Sequence, residues 1–321
     1  MKTVIYDTDS SSLEKAAQVI KNGGLVAFPT ETVYGLGACG FMPQSVNKIF
    51  KVKGRPNDNP LILHIGSYEQ IYDLALEIPE QMSKLKKFMP GPLTVVLKRK
   101  DIVPDEVTAG LNTVGIRIPS QPDANAFLKM CGVPVAAPSA NISGRPSPTT
   151  FGHVVEDLDG KVDGIIRGEV CSVGLESTVL DLSTGEPTIL RPGAITREML
   201  EEALGIVYTG GDGNRPKAPG MKYKHYAPKA PLYVVDGDIL DEIAKYNGKK
   251  IGVMLTDNIS LDGDIAIQHL GNNPQEYAHN LFKALRYFDS AKVDVILSQD
   301  IKGDGICEAV RNRLYKAANN R

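Results

Sequence analysis

Tryptophan is absent from this chain, cysteine occurs only four times in 321 residues, and the formal net charge is just -2. Cys39, Cys131, Cys171 and Cys307 lie too far apart for the short-range spacings of zinc sites or redox pairs, so they read as reduced, buried thiols. A near-neutral charge balance excludes a whole-protein field that would draw the molecule onto nucleic acid or an anionic membrane, although a local basic cleft remains open. No apolar run approaches the length needed to cross a bilayer. Met1 to Tyr6 opens in a strand-like stretch and lacks the basic-then-apolar pattern of a secretory signal. The expectation is a cytoplasmic protein with no membrane association. Two catalytic signatures are also missing. Neither Gly160-Lys161 nor Gly248-Lys249 has the spaced glycine before it or the Ser or Thr after it that a Walker A loop needs. There is no G-x-S-x-G elbow, so no serine hydrolase is indicated.

What is present is an ordinary globular composition, 42% apolar and 23% charged, at a length that favours two domains. Strand-like runs at Leu25 to Phe28, Leu61 to Ile65, Leu93 to Leu97, Val114 to Ile118 and Val133 to Ala137 alternate with helical stretches, which predicts an α/β domain. A helix is expected over Ser12 to Lys21. Hydroxyl residues can cap its start, Leu13, Ala16, Ala17 and Ile20 form its apolar face, and Gly23 follows its end. After a helix at Arg197 to Leu204, the run Thr209-Gly210-Gly211-Asp212-Gly213-Asn214-Arg215-Pro216 can continue neither a helix nor a central strand. We therefore expect a catalytic domain over residues 1–207, a linker over 208–230 and a C-terminal α/β domain over 231–321. Strands at Leu232 to Val235, Ile251 to Leu255, Ile265 to Gln268 and Val293 to Leu297, with helices between and after them, predict a small, mostly parallel, Rossmann-like sheet. In the helix from Pro274, Tyr277, Ala278, Leu281, Phe282, Leu285 and Phe288 recur at helical spacing and read as core rather than a cofactor box.

Gly35-Leu36-Gly37-Ala38-Cys39-Gly40 has the letters of a dinucleotide fingerprint but not its context, because a loop precedes it and Pro43 sits where the helix should be running. Its glycines read instead as a place where backbone turns closely beside a ligand. Lys51-Val52-Lys53-Gly54-Arg55 followed by Pro56 and Pro60 puts cations on a stiffened segment, which suits phosphate; a solvated charged loop is the competing reading. Ala137-Pro138-Ser139-Ala140-Asn141 follows an apolar strand and would stand at its carboxyl end, where open α/β sheets bind ligands, unless it is only a set of Asx and Ser turns. Arg117 lies in the apolar run Val114 to Ile118 and must meet an anion, either a ligand carboxylate or an internal Asp or Glu. His64, inside Leu61 to Ile65, reads as a satisfied core histidine more readily than as a base.

Taken together, Phe28-Pro29-Thr30-Glu31-Thr32-Val33-Tyr34-Gly35-Leu36-Gly37, Lys53-Gly54-Arg55-Pro56, Asn59-Pro60-Leu61, Pro90-Gly91-Pro92-Leu93-Thr94 and Pro138-Ser139-Ala140-Asn141 resemble the YrdC-like threonylcarbamoyl-AMP synthase family. The likeness continues through Leu175-Glu176-Ser177-Thr178-Val179 and Leu190-Arg191-Pro192-Gly193. Ala218 to Pro228 resembles the linker of the family's long form, which carries a C-terminal domain. The resemblance implies a large twisted sheet with an open cleft. It also implies synthesis of threonylcarbamoyl-AMP and pyrophosphate from L-threonine, bicarbonate and ATP, feeding the tRNA threonylcarbamoyl-transfer machinery. By resemblance, Lys53 and Arg55 are the catalytic cations, and Lys53, Arg55, Asn59, Thr113, Ser139, Asn141, Ser147, Arg191 and His225 contact ATP. Thr32, His64, Arg117, Ala137 and Ser177 surround threonine, and Arg117 then finds its anion in the amino-acid carboxylate. Mg²⁺ is expected with the nucleotide, and no protein carboxylate set demands it. The linker, with Tyr223, His225 and Tyr226, is expected to lie over the cleft as a lid. Two rival readings stay open: an RNA-binding module using the same basic cleft, and a carbamoyl-transfer domain of the hydrogenase-maturation kind.

Overall fold

The computed structural model describes residues 2–210, 225–256, 261 and 264–318. In chain order the first part contains β1 (Val4–Tyr6), α1 (Ser10–Lys21), β2 (Val26–Phe28), β3 (Gly35–Cys39), α2 (Pro43–Lys53), β4 (Ile62–His64), α3 (Ile71–Leu74), α4 (Gln81–Leu85), β5 (Leu93–Lys98), α5 (Asp105–Thr108), β6 (Thr113–Arg117) and α6 (Pro122–Cys131). It continues with β7 (Val135–Ala137), α7 (Phe151–Leu158), β8 (Gly164–Ile166), β9 (Thr178–Asp181), β10 (Thr188–Arg191), α8 (Arg197–Leu204) and β11 (Tyr208–Thr209). These strands form one mixed sheet in the order β1-β8-β2-β3-β7-β4-β6-β5-β9-β10-β11.

The period-2 alternation of side chains decides which helices cover which face. Val26 and Phe28 of β2 point to one side and pack with Leu13, Ala16, Ala17 and Ile20 of α1 and with Ala124, Phe127 and Leu128 of α6. Ala27, between them, joins the opposite core with Val46 and Ile49 of α2, Leu85 of α4 and Val154 of α7. The apolar face expected of the first helix is thus the buried one. Its cap differs from the expected hydroxyl: Asp9 accepts from the Ser12 amide at 3.1 Å, the charge-assisted form of the same satisfaction of an orphan N–H.

Gly35 and Gly37 do not form a turn, although Gly35 lines the cleft described below. They lie in β3, and a Cβ at Gly37 would come within 2.7 Å of a Val135 methyl and 3.1 Å of the Phe28 ring. The glycines make room for the neighbouring strands' side chains, which corrects the sequence reading of that segment.

The C-terminal part contains β12 (Leu232–Val235), α9 (Ile239–Ala244), β13 (Ile251–Leu255), β14 (Ile265–His269), α10 (Pro274–Ala291), β15 (Val295–Gln299) and α11 (Ile306–Ala317). Its strands are parallel throughout, in the order β12-β15-β13-β14. Helices α10 and α11 cover one face through Leu281, Phe282, Leu285, Val310 and Leu314, and α9 covers the other through Ile239. A parallel sheet covered on both faces needs near-continuous apolar strands, which Ile251–Leu255 and the first three residues of Val295–Gln299 supply.

The two parts share core. Val33 and Leu175 from the first part pack into the cluster built on α10 and α11. Gly174, at φ +80°, lets α10 approach so closely that a Cβ there would lie 2.6 Å from the Cα of His279. The ring of His279 lies 3.1 Å from the Ser172 carbonyl, and the buried Arg286 donates to the Pro146 carbonyl at 2.7 Å and to Asp157 at 2.7 Å. Of the expected linker, residues 211–224, including Tyr223, lie outside the described residues. Among the described residues no helix is long and apolar enough to cross a membrane.

Candidate active site

A cleft opens where several strand ends meet. The ladder sets His64 of β4 opposite Arg117 of β6, and Arg117 opposite Thr94 of β5, so the three side chains share a face on adjacent strands. Ser177, just before β9, exchanges a 2.8 Å hydrogen bond with the Thr94 hydroxyl. The chain leaving β7 through Pro138 and Ser139 crosses the start of β3: the Leu36 amide donates to the Pro138 carbonyl, and the Ala140 amide to the Tyr34 carbonyl. The segment Thr30 to Tyr34 thereby faces the loop Ser139 to Asn141.

The cleft encloses about 670 Å³ of empty space when the open solvent at its mouth is counted. Other hollows among the described residues are as large, but this one gathers buried cations, neutral histidines and hydroxyls. Thr32, His64, Arg117, Ala137 and Ser177 all line it, as do Arg55, Ser139, Asn141, Arg191 and His225. Lys53, Asn59, Thr113 and Ser147 do not. The Lys53 ammonium lies behind the wall and donates to the carbonyls of Ser139 at 2.5 Å and Asn141 at 2.6 Å, so it shapes the loop that faces the cleft. Ser147 is buried with its hydroxyl donating to Glu176 at 2.6 Å. Thr113 begins β6 and Arg117 ends it, which at the strand rise puts the two roughly 13 Å apart. Asn59 is buried, and its carbonyl accepts from Arg55 at 2.9 Å.

Arg117 shows why a cation sits on an apolar strand. It pairs with the buried carboxylate of Glu31 at 2.9 Å and donates to the Thr32 hydroxyl at 2.8 Å. An internal acid therefore meets the charge, which corrects the reading in which a ligand carboxylate resolves its burial. Burial alone would raise the Glu31 carboxyl; the adjacent guanidinium more than offsets this and holds it below its usual range. Glu176 is likewise held low, the raising effect of burial being outweighed by Arg313 and then Arg191.

The remaining groups have been pushed toward neutrality. Burial, reinforced by Arg117, lowers His64 to about 3, and burial with Arg55 lowers His225 to about 4, so both imidazoles are neutral near pH 7. Burial also lowers Arg55 and Arg191 to about 10, and Lys53 falls well below its ordinary value through burial and then Arg55. Cations crowded at such a cost form a site that an anion would stabilise. Arg191 donates twice to the Ser177 carbonyl, at 2.9 and 3.1 Å, fixing its guanidinium beside the cleft. Nε2 of His225 is buried without a hydrogen-bond partner among the described residues and lines the cleft.

Sequence reasoning assigned no role to Glu31 or Glu176. The signal for Glu31 was Arg117 itself, since a buried cation demands an anion nearby. The signal for Glu176 was an acid inside the apolar run Leu175 to Val179. Among the described residues no group of three or more His, Cys, Asp or Glu is arranged to hold a metal ion.

A family profile described as Telomere recombination, of the Sua5/YciO/YrdC type, matches residues 18–193, and a second, described as Threonylcarbamoyl-AMP synthase, C-terminal domain, matches residues 195–319. Threonylcarbamoyl-AMP synthase of Pyrococcus abyssi is 48% identical, over 95% of this chain and 94% of its own length. That of Bacillus subtilis is 43% identical, over 98% and 95%. The crystal structure of P. abyssi Sua5 complexed with L-threonine superposes with a TM-score of 0.94 at 45% identity, covering 99% of this chain and 98% of that one. HypF of T. kodakarensis shares the fold of part of the chain, at 21% identity and a TM-score of 0.51 over 58% of it. With both profiles matched in order and full-length relatives at this identity, the chain belongs to the Sua5/YciO/YrdC family, in the two-domain form that carries the threonylcarbamoyl-AMP synthase C-terminal domain.

Proposed function

We propose that the protein is an L-threonylcarbamoyladenylate synthase, making threonylcarbamoyl-AMP and pyrophosphate from L-threonine, bicarbonate and the magnesium complex of ATP. The observation that carries this reading is the convergence of Arg55, Arg117 and Arg191 with the neutral His64 and His225 on one cleft, in a chain alike along its whole length to synthases of that name. The amine of threonine takes up bicarbonate as a carbamate with loss of water. A carbamate oxygen then bonds to the α-phosphorus while the bond to the β-phosphate oxygen breaks, and pyrophosphate departs. No protein nucleophile enters, so the residues act by positioning and by neutralising charge.

In this reading Thr32, His64, Arg117, Ala137 and Ser177 surround threonine. Arg117 keeps Glu31 as its partner and has donors left for a carboxylate. Arg55, Ser139, Asn141, Arg191 and His225 face the nucleotide, and Lys53 acts on it through the Ser139–Asn141 loop. A divalent ion would be held chiefly by phosphate oxygens and water, as magnesium prefers. Product transfer to tRNA would belong to separate machinery. The purified chain incubated with ATP, Mg²⁺, bicarbonate and L-threonine, each omitted in turn, should release pyrophosphate and the adenylate, detected by mass spectrometry, only in the complete mixture. Turnover with carbamoyl phosphate in place of threonine and bicarbonate would instead favour carbamoyl transfer.

A further inference from the structure

We infer that Arg313, on α11 of the C-terminal part, is a positioning residue of the cleft. It fixes Glu176, Ser177 and Arg191, so that the site is complete only with the C-terminal part docked. The inference rests on the synthase reading for the identity of the substrates, not for the geometry. Arg313 is fully buried. Its Nε donates to Glu176 Oε2 at 2.8 Å, its Nη2 to the Glu176 carbonyl at 3.2 Å, and its Nη1 to the Pro192 carbonyl at 2.9 Å.

Those two partners flank cleft residues. Glu176 precedes Ser177 at the entry to β9, and Pro192 follows Arg191 at the exit of β10. The two arms are already in contact: a Cβ on Gly193 would lie 2.3 Å from the Thr178 amide nitrogen, and Arg191 reaches across to the Ser177 carbonyl. Arg313 closes this arrangement from outside, one planar fork spanning both arms. The second oxygen of Glu176 takes the Ser147 hydroxyl, tying a third segment of the wall to the same carboxylate.

The buried ion pair with Glu176 is not in itself a net source of stability. The same face of α11 carries Val310, Leu314 and Ala317, all buried, and an apolar residue paired with an uncharged partner would serve the interface as well or better. What the guanidinium adds is direction, three N–H vectors at fixed angles that an ammonium cannot reproduce.

The full-length Arg313→Gln and Arg313→Lys variants, assayed for pyrophosphate release over ranges of ATP and threonine and for thermal unfolding, test this. The expected result is a loss of kcat/KM on the order of 10- to 100-fold, carried mainly by higher KM, with lysine failing to rescue. A merely destabilised protein would lose active molecules, lowering apparent kcat and leaving both KM values alone. Unchanged KM for both substrates in Arg313→Gln overturns the inference; if that variant does not fold, Arg313→Lys is judged by the same criterion. If the wild type makes no threonine-dependent pyrophosphate, the synthase reading fails instead. Calorimetric titration with ATP then decides: weaker binding to the variant supports positioning, and equal affinity overturns it.

Discussion

Replacing Arg117 by methionine removes one half of the buried pair beneath the cleft. At 2.9 Å the attraction to Glu31 is about 6 kcal/mol for an effective dielectric constant of 20, against which the desolvation of both charges must be set. Both side chains are almost inaccessible, 4% for Arg117 and 7% for Glu31, so the orphaned carboxylate cannot turn to water. Removing one partner of such a pair should cost about 3–5 kcal/mol. The double variant Arg117→Met, Glu31→Gln has no uncompensated charge and should recover most of that loss. Denaturant unfolding of the wild type, both single variants and the double variant yields the coupling directly. Calorimetric titration with threonine supplies the functional half: the double variant should be stable yet bind threonine at least tenfold more weakly, because the guanidinium is gone. A cost below about 1 kcal/mol for Arg117→Met, or a double variant no more stable than the single one, would refute the assignment of Glu31 as its counter-charge.

Three further outcomes are expected. Phe127→Ala empties the centre of the layer between α1 and α6, where Phe127 meets the Phe28 ring at 5.4 Å, and should cost about 3–5 kcal/mol by the same unfolding assay. Gly174→Ala forces a side chain into the backbone of α10 from a positive φ and should destabilise by about 2 kcal/mol or more, read as a lower denaturation midpoint, with the interface between the two parts weakened. His64, His153 and His225 are neutral in the fold, lowered to about 3, 4 and 4 chiefly by burial. In the unfolded chain they take up protons from about pH 6.5 downward, so stability should be full above that value and fall as the pH drops toward 4. A series of unfolding curves measures the slope, which should flatten in His153→Gln.

The helices and strands that were legible are those that follow from local pattern. Leu13, Ala16, Ala17 and Ile20 at helical spacing can satisfy water's exclusion only by facing a sheet, and the apolar runs around Val253 and Ile296 can sit only in strands covered on both faces. The parallel C-terminal sheet followed from its alternation with helices for the same reason. The glycines of β3 were read as a turn, because spacing alone does not distinguish a turn from a strand that yields space to Phe28 and Val135 across the sheet; their closeness to the site held for Gly35.

The residue types of the site were also written in the sequence: cations beside glycine and proline, and a lone arginine in an apolar strand that required an anion. Which anion it would be was not. Glu31 reaches Arg117 across 86 positions of chain only because a strand crossover and the ladder between β4, β5 and β6 bring the loop after β2 over the end of β6. Lys53 reads from sequence as a free phosphate ligand, yet folding turns its ammonium onto two loop carbonyls. Arg313 drew no notice in the sequence, and only the docking of α11 buries it against Glu176. Local pattern sets what each segment can become, because helix and strand periodicity are short-range. Which charges meet is decided by contacts distant in sequence, and only the tertiary structure fixes those.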